Sequence, residues 1–143
     1  MRTHLEWKGQ MAFEAVGESG HVVRIDAAES VGGTNSGPRP MELVLHGLGG
    51  CTSIDIVSIL NKMREPMETL HVDIEAERAE DHPKRFTKIH LHYRLTGDGL
   101  DEKKVHRAIE LSMHKYCSAS ASLNAELTYS FEINGEKILN QNA

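Results

Sequence analysis

Cysteine is scarce in this chain. Cys51 and Cys117 stand 66 positions apart, and two are too few to staple a disulfide scaffold. Basic residues are not in excess either. Sixteen Lys and Arg against 21 Asp and Glu leave a formal net charge of −5, which argues against nucleic acid as the main partner. The opening "MRTHLEWKGQ" has no apolar run, so no signal peptide is expected and a cytoplasmic location is. No internal repeat is present. The Gly-rich "AESVGGTNSGPRP" is not a phosphate loop, because no Gly-Lys-Ser/Thr follows it. The most apolar stretch, Met41 to Leu60, contains Glu42, His46 and Asp55. These polar residues fit a core helix better than a membrane span, so no membrane partner is expected.

At 143 residues and 39% hydrophobic, the chain is expected to form a single domain, 1–143, with a normal core. "HLEWKG", "MAFEAVG" and "HVVRIDA" alternate apolar and polar residues between glycine breaks, which predicts a three-stranded antiparallel meander. Pro40 suits the first turn of a helix and Glu42 its positive end, so a helix is predicted from Pro40 to about Met63. Its apolar residues point in nearly every direction, which predicts burial all round and a second subunit to complete it. "LHVDIEAERAE" and "FTKIHLHYRLTG" read as a hairpin. In the second of these, His90 and His92 share the polar face with no third ligand near in sequence. A helix is expected from Asp101 to about Lys115, then Cys117 in "YCSASASL", then a last strand in "AELTYSFEI".

The chemistry centres on "LHGLGGCTSIDIV", where Gly49 and Gly50 precede Cys51. A thiol that only filled space would not need two glycines beside it. They imply that another backbone packs closely, or that something must reach the sulfur. An ordinary thiol, with a pKa near ~8.5, is mostly protonated at neutral pH and needs help to react. Asp55, one helical turn on, would raise the pKa unless it is paired or turned away. From the residues alone, a redox pair and two structural cysteines stand about level.

The order "PMELVLHGLGGCTSIDIV", two strands, then a helix ending in "HKYCSAS" resembles the osmotically inducible protein C and organic hydroperoxide resistance family (OsmC/Ohr), in its OsmC-like branch. The resemblance runs from about Leu5 to Ile133. It implies an α+β fold, with antiparallel sheets around two central helices in an intertwined homodimer. It implies thiol-based reduction of organic hydroperoxides. The residue matching Cys51 attacks the peroxide, and the one matching Cys117 closes a disulfide. A dithiol such as a lipoylated protein reduces that disulfide, and neither a metal nor a bound organic cofactor is required.

One departure stands out. Family members carry Asn-Pro-Glu before the helix, and that Glu orients an arginine which polarises the peroxide. Here Pro40 keeps the spacing to Cys51, so Met41 occupies the Glu position and Glu42 falls one residue late. One residue turns a side chain by roughly 100° around a helix. The candidate catalytic residues are therefore Cys51, Cys117, Arg24 and Glu42. Arg24 in "VVRIDA" is preferred to Arg39 as the arginine, and His46 and His114 have weaker claims. Two rivals remain. One is a non-enzymatic binding protein for a small molecule or thiol ligand on the same fold. The other is a structural metal site of Cys51, Cys117 and a histidine.

Overall fold

The computed structural model describes residues 1–142. It divides into two compact units, with the boundary inside the long helix between His46 and Gly47.

The first unit holds β1 (Thr3–Trp7), β2 (Phe13–Gly17) and β3 (Val22–Ile25), the antiparallel meander that the alternation predicts. The register puts Leu5, Trp7, Phe13, Ala15, Val23 and Ile25 on one face. That face is poorly covered, since Trp7 is 63% exposed and Leu5 49%. The loop after β3 is organised by Asp26. Its carboxylate accepts hydrogen bonds from the Ser36 and Thr34 hydroxyls and from the backbone N–H groups of Ala27, Thr34 and Ser36. These bonds, those from Ser36 first, hold it far below the usual carboxylate range.

Helix α1 runs from Pro40 to Lys62, within a residue of expectation. Its start is closed by Glu42, whose side chain accepts from the Arg39 backbone N–H at 3.2 Å, half of a capping box.

In the second unit, β4 (Thr69–Arg78) and β5 (Phe86–Thr96) form the expected hairpin. The helices α2 (Glu102–Leu111) and α3 (Ser118–Ala121) follow, then β6 (Glu126–Ile133) and β7 (Glu136–Asn142). The sheet order is β4-β5-β6-β7. The expectation of purely antiparallel sheets is wrong here, because β5 and β6 pair in parallel, with Leu91 opposite Tyr129 and Tyr93 opposite Phe131. The reason is the connection. A crossover that includes a helix can return the chain to run the same way as the strand it left. Strand β7, which the sequence reading did not anticipate, pairs antiparallel with β6.

The core lies between this sheet and the helices. Ile89, Leu91, Tyr93 and Leu95 from β5 are buried with Tyr129 and Phe131 from β6, Val105, Ala108 and Ile109 from α2, and Leu48, Ile56 and Leu60 from α1. Within a single chain, α1 is not enclosed all round. Only one side of it, Leu48, Gly49, Thr52, Ile56 and Leu60, is buried within the second unit. Ile54 on the opposite side is 72% exposed. One four-stranded sheet covers one face of a helix, and the described residues of the second unit supply no second layer.

On the polar face of the sheet, His90 and His92 are not free ligands. Hydrogen bonds run from Thr128 to His90 (2.7 Å), to Ser130 (2.8 Å), to His92 (2.7 Å) and to Glu132 (3.3 Å).

Candidate active site: two thiols and a carboxylate

Gly49 and Gly50 turn out to differ. A Cβ on Gly49 would lie 2.7 Å from Ile74 Cδ1 and 3.6 Å from Val72 Cγ1. Gly49 therefore lets α1 settle closely on β4. Among the described residues, a Cβ on Gly50 would meet nothing within 4 Å, so packing against them does not demand a glycine there.

The close approach sets the depth of the residues that follow. Thr52 is fully buried. It accepts a hydrogen bond from Tyr93 at 2.8 Å and donates to the Gly49 carbonyl at 3.2 Å. Burial pushes the Tyr93 hydroxyl well above its ordinary range, so it serves as a neutral donor pinning α1 to β5. Cys51 and Asp55 stand on the adjoining, half-buried side of α1.

The other half of the site is delivered by an irregular turn. A continuous α-helix to about Lys115 was expected, but α2 ends at Leu111 and residues Ser112–Tyr116 form a π-helical turn. The Cys117 N–H donates to the Ser112 carbonyl, five residues back, at 2.9 Å. Such single widened turns recur at functional sites because they re-aim the side chains around them. Here Ser112 is turned onto α1. Its hydroxyl is 2.9 Å from Asp55 Oδ2 and 3.3 Å from the Thr52 carbonyl oxygen. Cys117 caps the short α3, with its sulfur accepting from the Ser120 N–H at 3.3 Å.

As a result Cys51 Sγ, Cys117 Sγ and an Asp55 carboxylate oxygen all lie within 4.8 Å of one another. Both cysteines are free thiols. Burial, first of all, pushes the Cys117 thiol above its ordinary range. The proximity of Cys51 adds to this, and the hydrogen bonds from Ser120 oppose it. A cleft of about 580 Å³, lined by Met113, Cys117, Ala121, Leu127 and others, opens on one side of the site. A second, of about 420 Å³, is lined by Asp55, Ile59, Leu111 and Tyr116 among others.

A family model described as OsmC-like protein matches residues 33–132. The chain belongs to the OsmC-like family. It is 38% identical over 138 residues to Protein YhfA of Escherichia coli K12, a match covering 93% of this chain and 98% of that protein. It is also similar to the crystal structure of a hypothetical protein from Aquifex aeolicus VF5, with a TM-score of 0.77 and 28% identity, covering 93% of this chain and 96% of that one. A Legionella pneumophila structure described as an organic hydroperoxide resistance protein OsmC shares the fold, with a TM-score of 0.67 at 17% identity, covering 92% of this chain and 97% of that one.

Of the four candidate catalytic residues, Cys51 and Cys117 are brought together in the second unit. Arg24 and Glu42 belong to the first, and each is engaged there. Arg24 Nε donates to Ser36 Oγ at 2.8 Å, and its Nη1 is 3.6 Å from Glu14. Ser36 in turn donates to Asp26 at 2.6 Å, so the guanidinium is anchored to the ordered loop without help from Glu42. Arg39 is occupied by the Asn35 side chain and the Gly37 carbonyl. His114 is exposed and lines the Cys117 cleft. The residues that sequence reasoning missed are Ser112 and Ser36. Neither stands in a motif, and each acts through a turn whose geometry the hydrophobic pattern does not encode.

Proposed function

We propose that this protein is a cysteine-based peroxidase for organic hydroperoxides. The observation that carries the reading is the approach of the two sulfurs within 4.8 Å in an OsmC-like fold. Cys51, half-buried on α1, is the attacking residue. Its thiolate displaces the alkoxide from the peroxide: the O–O bond breaks, the alcohol leaves after protonation, and Cys51 becomes a sulfenic acid. The Cys117 sulfur then attacks that sulfenic sulfur, forming the S–S bond and releasing water. A dithiol donor, such as a lipoylated protein, restores the thiols by exchange. Arg24 is the polarising group of this proposal, and Glu42 is the helix cap.

The working form is a homodimer. Two features support it. The apolar face of β1–β3 leaves Trp7 and Leu5 largely exposed, and the outer side of α1 exposes Ile54 beside a shallow apolar cleft that includes Val57 and Leu70. Apolar surface of this kind is usually covered, most often across a two-fold axis.

A second reading is a non-enzymatic binding protein. The Asp55 carboxylate beside the thiols favours it, because a neighbouring negative charge opposes thiolate formation. Stopped-flow mixing of reduced protein with cumene hydroperoxide separates the two. The peroxidase reading requires turnover with a dithiol. Saturable binding without thiol consumption supports the other.

A further inference from the structure

Asp55 is the feature that the peroxidase reading does not use. It sits four residues after Cys51 on α1, and Ser112 holds its carboxylate toward the thiols rather than letting it turn away. Among the described residues of the second unit, it makes no ion pair. Two groups that become anions on losing a proton, and one that is an anion already, thus converge on one point. A proton relieves that crowding, and so does a cation.

We propose that reduced Cys51 and Cys117, together with Asp55, form a three-donor site for a thiophilic divalent cation of the zinc type. The donor set matches that class. Thiolate sulfurs select zinc over magnesium or calcium, and one carboxylate oxygen completes a three-ligand set that leaves a fourth position open. The size matches as well. Zinc–sulfur bonds of ~2.3 Å in a tetrahedron put two sulfurs ~3.8 Å apart. Donors already within 4.8 Å of one another need only small side-chain rotations. Ser112 supplies the outer hydrogen bond that commonly fixes a ligating carboxylate. A cleft lined in part by Asp55 lies beside the carboxylate, and the open fourth position is one that water or an added thiol can take. The third donor is thus a carboxylate, not the histidine of the rival metal site.

Binding replaces the two thiol protons: two Cys–SH and one divalent cation give the bis-thiolate complex and two protons. The same sulfurs cannot hold the metal and a disulfide together, so the site holds metal only when reduced. The inference uses the same sulfurs as the proposed peroxidase chemistry but does not require them to reduce peroxide.

The test is anaerobic titration of the reduced, full-length protein with cobalt(II), followed by zinc competition. One cobalt per chain is expected, with a near-ultraviolet thiolate-to-cobalt charge-transfer band that zinc abolishes. Asp55→Asn keeps the shape of the side chain and should weaken binding by roughly tenfold or more, and Ser112→Ala by roughly tenfold. Removing the Asp55 charge makes the thiols easier to deprotonate, so that effect alone would tighten binding, and a loss identifies Asp55 as a ligand. The inference is overturned if no charge-transfer band forms while both thiols remain titratable. It is equally overturned if Asp55→Asn, folded by near-ultraviolet circular dichroism, binds as tightly as the parent. Metal-free protein mixed with cumene hydroperoxide reports separately on the peroxidase reading.

Discussion

Ser112 donates a hydrogen bond to the Asp55 carboxylate at 2.9 Å, from the first residue of the π-helical turn to a side chain four residues past Cys51. The contact ties the widened end of α2 to α1 and fixes a negative charge beside the two thiols. That charge should slow thiol chemistry. At a separation of no more than 4.8 Å, a unit charge contributes about 1 kcal/mol even at the dielectric constant of water. Asp55→Asn should therefore raise the rate of Cys51 alkylation at fixed neutral pH by roughly fivefold or more. Unchanged pH–rate profiles for iodoacetamide would mean that the carboxylate does not act on the sulfur.

The two thiols should also differ in order of reaction. Cys117 is 4% exposed, and burial raises its pKa, whereas Cys51 is half-buried. At neutral pH, limited iodoacetamide should label Cys51 first by peptide mass mapping, with Cys117 labelled only as the pH is raised. The sign for stability follows. A thiol whose pKa is raised on folding stabilises the reduced protein fully below its unfolded pKa, and this contribution is lost as pH rises through the folded one. Urea midpoints of the reduced protein should thus fall above about pH 8.5, and Cys117→Ala should flatten that fall.

Much of this architecture can be read from the chain. Alternation in Leu70–Ala76 and Ile89–Leu95 gives the hairpin and its buried face, and Pro40 marks the start of α1. The Gly-Gly-Cys stretch points to the site, although only Gly49 is there for packing. Parallel pairing of β5 with β6 could not be read, because Tyr93 and Phe131 carry the same alternation whichever way the strand runs. The π turn was hidden for a related reason. Ile109 and Met113 fit a continuous helical stripe, and one extra residue per turn changes where Ser112 and Cys117 point without changing composition.

The exposed side of α1 gives a direct test of assembly. Ile54 is 72% exposed within the chain, so on a monomer Ile54→Asp should change stability by less than about 0.5 kcal/mol. On a dimer seated there, it should halve the mass seen by light scattering from twice 15.9 kDa. A wild-type protein that stays folded at the single-chain mass would remove the dimer from the account.

Glu42 and Met41 can be separated by their effects. Glu42→Ala removes the cap on the Arg39 N–H and should cost about 1 kcal/mol of stability, with little change in peroxide rate. Met41→Glu should raise that rate if the family's arrangement is what the chain lacks. Arg24→Met should lower it by about 10²-fold, the scale expected for one positioned electrostatic group. A large loss of rate in a folded Glu42→Gln variant would instead make Glu42 the functional carboxylate.

The central claim is that Cys51 and Cys117 are redox partners. The most direct measurement is one equivalent of cumene hydroperoxide added to the reduced, metal-free protein, followed by thiol counting and intact mass. The account predicts that both thiols vanish, that two hydrogens are lost, and that one peptide pair is cross-linked through Cys51 and Cys117. Cys117→Ser should stop at a sulfenic acid on Cys51 that dimedone traps. Two thiols still free after the peroxide has been added in excess would contradict it.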